Sequence, residues 1–167
     1  GLKGEFYIEN TQINTSKWAI GEGSLVDSRF TGIVKNSIIN GQVDAFRGKF
    51  TAFINCEINT PYLLSASETS DSQLAFYGCK ITHKNNSTIG RNGQIQIGSS
   101  NYSRENLFVI FDNTLIEGFS YIVIRNSTLL TFKNSNIRYV DNFATSSDIT
   151  VHMTSCDVVS TNLSFGG

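Results

Sequence analysis

FKNSNI, residues 132–137, has relatives along the chain: FINCEI at 53–58, FYGCKI at 76–81 and FDNTLI at 111–116. Each runs from Phe through one variable residue to Asn or Gly, and reaches Ile three places later. Anchoring on that residue gives seven occurrences, at Asn10, Asn36, Asn55, Gly78, Asn113, Asn134 and Ser155. The intervals are 26, 19, 23, 35, 21 and 21 residues. A period of this size with variable insertions marks units that bury their apolar faces against one another.

The columns around the anchor give the local structure. Two places before it stand Ile8, Val34, Phe53, Phe76, Phe111, Phe132 and Met153, and three after it Ile13, Ile39, Ile58, Ile81, Ile116, Ile137 and Val158. Alternation with period two inside a unit predicts strands, and shared columns between units predict parallel strands in register. A third strand is expected at WAIGE from Trp18, QVDAF from Gln42, YLLSA from Tyr62, QIQIG from Gln94 and YIVIR from Tyr121. Outward positions agree, because Glu9 precedes Lys35, Asp112 precedes Lys133, Glu57 precedes Lys80 and Glu117 precedes Arg138 at matching places. Opposite charges facing each other on neighbouring strands favour that register by a few tenths of a kcal/mol each.

One place after the anchor come Thr11, Ser37, Cys56, Cys79, Thr114, Ser135 and Cys156, all small. The three cysteines therefore read as small buried residues at a repeated place. Their spacing fits neither a CxxC redox motif nor a zinc site. The anchor Asn is expected at a bend, buried, with its amide bonded to the Asn of the units on either side.

The anchor column resembles the asparagine ladder of the right-handed parallel β-helix, the fold of pectate lyases and phage tailspikes. That resemblance implies one all-β domain over residues 1–167, with about seven coils of three short strands. It also implies a segment of a longer tailspike, sited in a virion tail or outside the cell, that recognises a bacterial surface polysaccharide. A homotrimer is implied too, since such tailspikes are three-fold. No lyase or esterase active-site motif can be carried over residue by residue.

Composition narrows the alternatives. The 167 residues carry a formal charge of −1 and only 16% are charged, which argues against a nucleic-acid partner held by bulk charge. No apolar run is long enough to span a membrane, and no metal or cofactor site is expected. His83 and His152 have no third ligand in view, so they read as solvated side chains.

Chemistry is expected at two places. A further insertion at 82–93 leaves the strand after its anchor, while those at 21–29, 65–72 and 99–106 should stack at one corner. There Glu68, Asp71 and Glu105 are the candidate catalytic carboxylates, with Tyr102 and Arg104 beside them for substrate. Paired carboxylates hydrolyse glycosides when about 5–5.5 Å apart for retention or 6.5–9.5 Å for inversion. The outward face of the strand after each anchor is the second place, with Asn40, Glu57, Asn59, Lys80 and Glu117, and Tyr62 at its margin. Amides and charges beside aromatic rings suit sugar hydroxyls and apolar sugar faces.

A glycan-binding or glycan-cleaving segment is thus the leading expectation. The alternatives are a non-catalytic structural or adhesin protein and a free bacterial polysaccharide lyase. An apolar outward column of Ile33, Ala52, Ala75 and Ile110, with Ile54 and Tyr77 nearby, is the expected interface of the homotrimer.

Overall fold

The computed structural model describes residues 3–21, 29–44, 50–65, 72–85, 93–97, 107–124, 128–145 and 149–164. In chain order its strands are β1 (Lys3–Glu9), β2 (Gln12–Gly21), β3 (Arg29–Lys35), β4 (Ile38–Asp44), β5 (Phe50–Ile54), β6 (Glu57–Thr60), β7 (Tyr62–Ser65), β8 (Ser72–Tyr77), β9 (Lys80–His83), β10 (Gln94–Ile97), β11 (Leu107–Asp112), β12 (Leu115–Glu117), β13 (Tyr121–Ile124), β14 (Thr128–Lys133), β15 (Asn136–Thr145), β16 (Thr150–Thr154) and β17 (Asp157–Ser164).

The strands that lead into the anchors form a seven-stranded parallel sheet in the order β1-β3-β5-β8-β11-β14-β16. Its register follows the sequence columns. Ile8 pairs with Val34, Val34 with Phe53, Phe53 with Phe76, Phe76 with Phe111, Phe111 with Phe132 and Phe132 with Met153. Four of those rings stack face to face, at 5.1 Å for Phe53–Phe76, 4.8 Å for Phe76–Phe111 and 4.9 Å for Phe111–Phe132. Phe143 closes the stack edge-on against Phe132 at 6.0 Å. Ile39, Ile58, Ile81, Ile116 and Ile137 join the same fully buried cluster from the other strands.

The remaining strands correct the expected architecture. A right-handed parallel β-helix would keep its faces as separate sheets, but β4 and β15 run through the bend. β4 pairs with β6 through Ile38–Asn40 and with β7 through Val43 and Asp44. β15 pairs with β12 through Asn136–Arg138 and with β13 through Asn142–Thr145. The two strand sets are joined at both ends, and β4-β6-β9-β12-β15-β13-β10-β7 returns to β4. The fold is therefore a closed eight-stranded parallel barrel beside a seven-stranded parallel sheet, and the likeness to pectate lyases and tailspikes does not hold. The physical reason is that β4 and β15 each change partner along their length, with Gly41 at φ 152° and Tyr139 at φ 54° lying between the two paired stretches.

The anchors also differ from expectation. Asn10, Asn36, Asn55, Asn113 and Asn134 all have φ between 49° and 52°, with Gly78 at 63° and Ser155 at 54°. All seven are exposed. Asn recurs there because it enters the left-handed region at less cost than other side-chain-bearing residues, so the expectation of a buried amide ladder is corrected. Asn55 Nδ2 does donate to Asn36 Oδ1, at 3.4 Å. The backbone does most of the joining: Asn36 N–H donates to Ile54 O at 2.9 Å, Asn55 N–H to Tyr77 O at 2.8 Å and Asn113 N–H to Lys133 O at 2.9 Å.

The small column beside the anchors forms a continuous polar ladder. Ser37 Oγ donates to Lys35 O at 2.7 Å, Thr114 Oγ1 to Asp112 O at 3.1 Å and Ser135 Oγ to Lys133 O at 2.8 Å. Cys56 Sγ and Cys79 Sγ make the same bonds, to Ile54 O at 3.4 Å and Tyr77 O at 3.5 Å. All three cysteines are free thiols. The thiols of Cys56 and Cys79 interact, which lowers the Cys56 pKa to about 7 and, together with burial, holds Cys79 above its ordinary value.

Candidate functional site

β2, β4, β6, β9, β12, β15 and β17 carry the outward face expected for substrate. Two columns face away from the core, and each alternates with the buried Ile column by the two-residue period of a strand. Pairing aligns Asn14 with Asn40, Asn40 with Asn59, Asn59 with Thr82, Thr82 with Glu117 and Glu117 with Arg138. Beside them, Gln12 aligns with Ile38, Ile38 with Glu57 and Glu57 with Lys80.

Three amides of the first column are bonded in series. Asn40 Nδ2 donates to Asn14 Oδ1 at 2.7 Å, and Asn59 Nδ2 donates to Asn40 Oδ1 at 2.9 Å. Gln12 Nε2 adds a bond to Asn14 Oδ1 at 3.3 Å, and Asn59 Nδ2 another to Glu57 Oε1 at 3.0 Å. This asparagine ladder lies on the outward face, one bend away from the anchors. Each side-chain amide offers two donors and two acceptor sites. Asn40 therefore keeps one donor and one acceptor free of these bonds, and Asn59 keeps its Oδ1.

Of the charge pairs read from sequence, Lys35–Glu9 closes at 3.6 Å and Lys133–Asp112 at 3.8 Å. Arg138 reaches across to Asp157 of the next unit at 3.6 Å. These side chains are 28–59% exposed, so each pair contributes little. Glu57 and Lys80 sit opposite each other, as do Glu117 and Arg138.

Tyr62 requires a correction. It was expected at the margin of the binding face but is only 3% exposed. β7 is an interior strand between β4 and β10, so neighbours flank the ring on both sides. In the expected apolar interface column, Ala52 and Ala75 face away from the Phe stack yet are 3% and 2% exposed, while Ile33 and Ile110 beside them are partly exposed. Glu68, Asp71, Tyr102, Arg104 and Glu105 lie outside the described residues. Among the described residues, no group of three or more His, Cys, Asp or Glu could hold a metal ion.

Two features had little signal in the sequence. A second amide pair, Asn162 Nδ2 to Asn142 Oδ1 at 3.0 Å, stands on the other outward face of the barrel. Tyr139 is 71% exposed and holds φ 54°, a conformation that costs a bulky side chain about 1–3 kcal/mol. Alternation alone shows neither the bulge that creates it nor the strain. No family model, curated protein or solved structure matches the chain, and the expectation of a phage tailspike is left without support.

Proposed function

We propose that the outward barrel face built on Asn14, Asn40 and Asn59 binds a polysaccharide of the bacterial surface. The observation that carries this reading is the pair of amide bonds at 2.7 and 2.9 Å along that column. They hold three amides in fixed orientation on neighbouring strands about 4.8 Å apart. Groups fixed before binding lose little freedom when a ligand arrives. The donors and acceptors left over suit hydroxyl-rich chains, and Glu57, Lys80 and Glu117 set charge along the same face.

The test is retention of the protein on immobilised capsular and lipopolysaccharide glycans. Substituting Asn40→Ala and Asn59→Ala together should lower retention at least tenfold while the fold persists. Equal retention by the native and doubly substituted proteins would remove this face from the reading. Release of reducing ends or unsaturated uronates in the same incubations would add cleavage to binding. In that case Glu68→Gln or Asp71→Asn should abolish the release and leave retention intact.

Self-association belongs to the same proposal. Ile33, Phe50, Phe108, Ile110 and Leu129 face away from the core of the seven-stranded sheet and are partly exposed, beside exposed Tyr7 and Tyr77. Partial exposure of that much apolar surface favours a contact between copies. A homotrimer is the assembly proposed, and light scattering at micromolar concentration distinguishes it from a monomer.

A further inference from the structure

Gly118 sits where the barrel wall carries no side chain. It aligns with Tyr139 in the next unit, following the Glu117–Arg138 pairing, and its N–H donates to Arg138 O at 3.1 Å. On its other side the pairing of Glu117 with Thr82 brings it next to His83. Among the described residues, a Cβ built on Gly118 would come within 4 Å only of the Cβ of His83, an ordinary contact at 3.7 Å. Both Gly118, at φ 82°, and Tyr139, at φ 54°, are left-handed. The chain thus fills with an exposed tyrosine a backbone position that the preceding unit gives to glycine.

Spacing gives the gap a size. Rings one unit apart in this protein stack at 4.8–5.1 Å, as the Phe53, Phe76, Phe111 and Phe132 series records. His83 and Tyr139 are two units apart, with no side chain between. His83 tilts toward the buried Phe119 at 5.6 Å and forms the closed side, while Tyr139 stands free in solvent. Glu117 and Arg138 occupy the adjoining outward column, where a carboxylate and a guanidinium can meet hydroxyls.

We propose that Gly118, Tyr139 and Glu117 form a subsite for one pyranose ring, with the apolar face of the sugar lying on Tyr139 and its hydroxyls directed to Glu117. The subsite rests on the polysaccharide reading above and extends it along the same column, from Asn59 through Thr82 to Glu117. It explains why a strained residue is kept on a face where glycine would cost nothing.

Two substitutions test it. Tyr139→Gly removes the ring and relieves the backbone, so thermal stability should hold or rise. Gly118→Asn fills the gap with a residue that the anchors show to be at home at positive φ. Titration uses the capsular or lipopolysaccharide glycan that native protein retains most strongly. Each substitution should lower affinity about tenfold, the loss expected for one stacking contact. Native affinity in Tyr139→Gly, with binding still lost in the Asn40→Ala, Asn59→Ala protein, overturns the subsite and spares the binding face. Absence of binding by native protein to every glycan overturns both.

Discussion

The ring of Phe6 occupies the space that a side chain on Gly32 would need. These two residues are paired across β1 and β3, and a Cβ on Gly32 would run into the ring of Phe6. The first unit places its largest core side chain where the second supplies none. Gly32→Ala should therefore destabilise the protein by about 1–3 kcal/mol through overpacking. Adding Phe6→Leu should return part of that loss. A denaturant titration of the single and double variants checks it, and strict additivity would mean that the two positions do not share space.

Phe111 lies in the middle of the stack, between Phe76 at 4.8 Å and Phe132 at 4.9 Å. Truncation to Ala removes a fully buried ring and both of its partners' contacts. The expected cost is about 3–5 kcal/mol, read from the shift in the unfolding midpoint. A loss below about 1 kcal/mol would mean that the core collapses around the gap.

Cys56 and Cys79 occupy a column that elsewhere uses Ser and Thr with the same carbonyl partners. The double substitution Cys56→Ser, Cys79→Ser should change stability at neutral pH by less than about 1 kcal/mol. At alkaline pH the signs separate. Cys56, at about 7 against an ordinary 9.0, favours the folded state increasingly between pH 7 and 9 and then no further. Cys79 is held above 9.0, so the unfolded chain ionises first and the folded state loses ground above pH 9. Beyond pH 9 the serine variant should lose less stability per pH unit than native protein. Parallel profiles there would show that Cys79 titrates normally.

Asn40 both donates to Asn14 and accepts from Asn59. Asn40→Asp keeps the acceptor and loses the donor, so the link to Asn59 survives while the link to Asn14 fails. Because the site is half-exposed, the stability cost should be about 1 kcal/mol or less. Glycan retention should fall well beyond what so small a change in stability explains. Unchanged retention would identify the amide series as framework alone.

Pairing in the seven-stranded sheet was legible in the sequence because repetition fixes which residues align and alternation fixes which face inward. Phe53 over Phe76 over Phe111 follows from those two rules. Barrel closure was not legible, since periodicity carries no information on where a strand stops. Continuation of β4 through Gly41 and of β15 through Tyr139 is a change of pairing partner within one strand, which the columns do not mark. The anchors show the same limit. Their recurrence was plain, but the sequence did not separate an amide kept for its hydrogen bonds from one kept for its positive φ. At Tyr62, alternation gave the direction of the side chain and said nothing of the neighbours that cover it.

The left-handed anchors have a consequence for spacing. The chain inserts anywhere from 19 to 35 residues between one anchor and the next. Yet each anchor with a further unit beyond it is tied to that unit by a backbone bond of 2.8–3.1 Å. Insertions between anchors therefore leave the graduations of the outer surface alone. The face behaves as a ruler divided at about 4.8 Å, on which the chemistry of each mark can change while the interval stays fixed. A polymer with its own regular repeat, laid along such a scale, would be matched at many marks or at few, depending on its period.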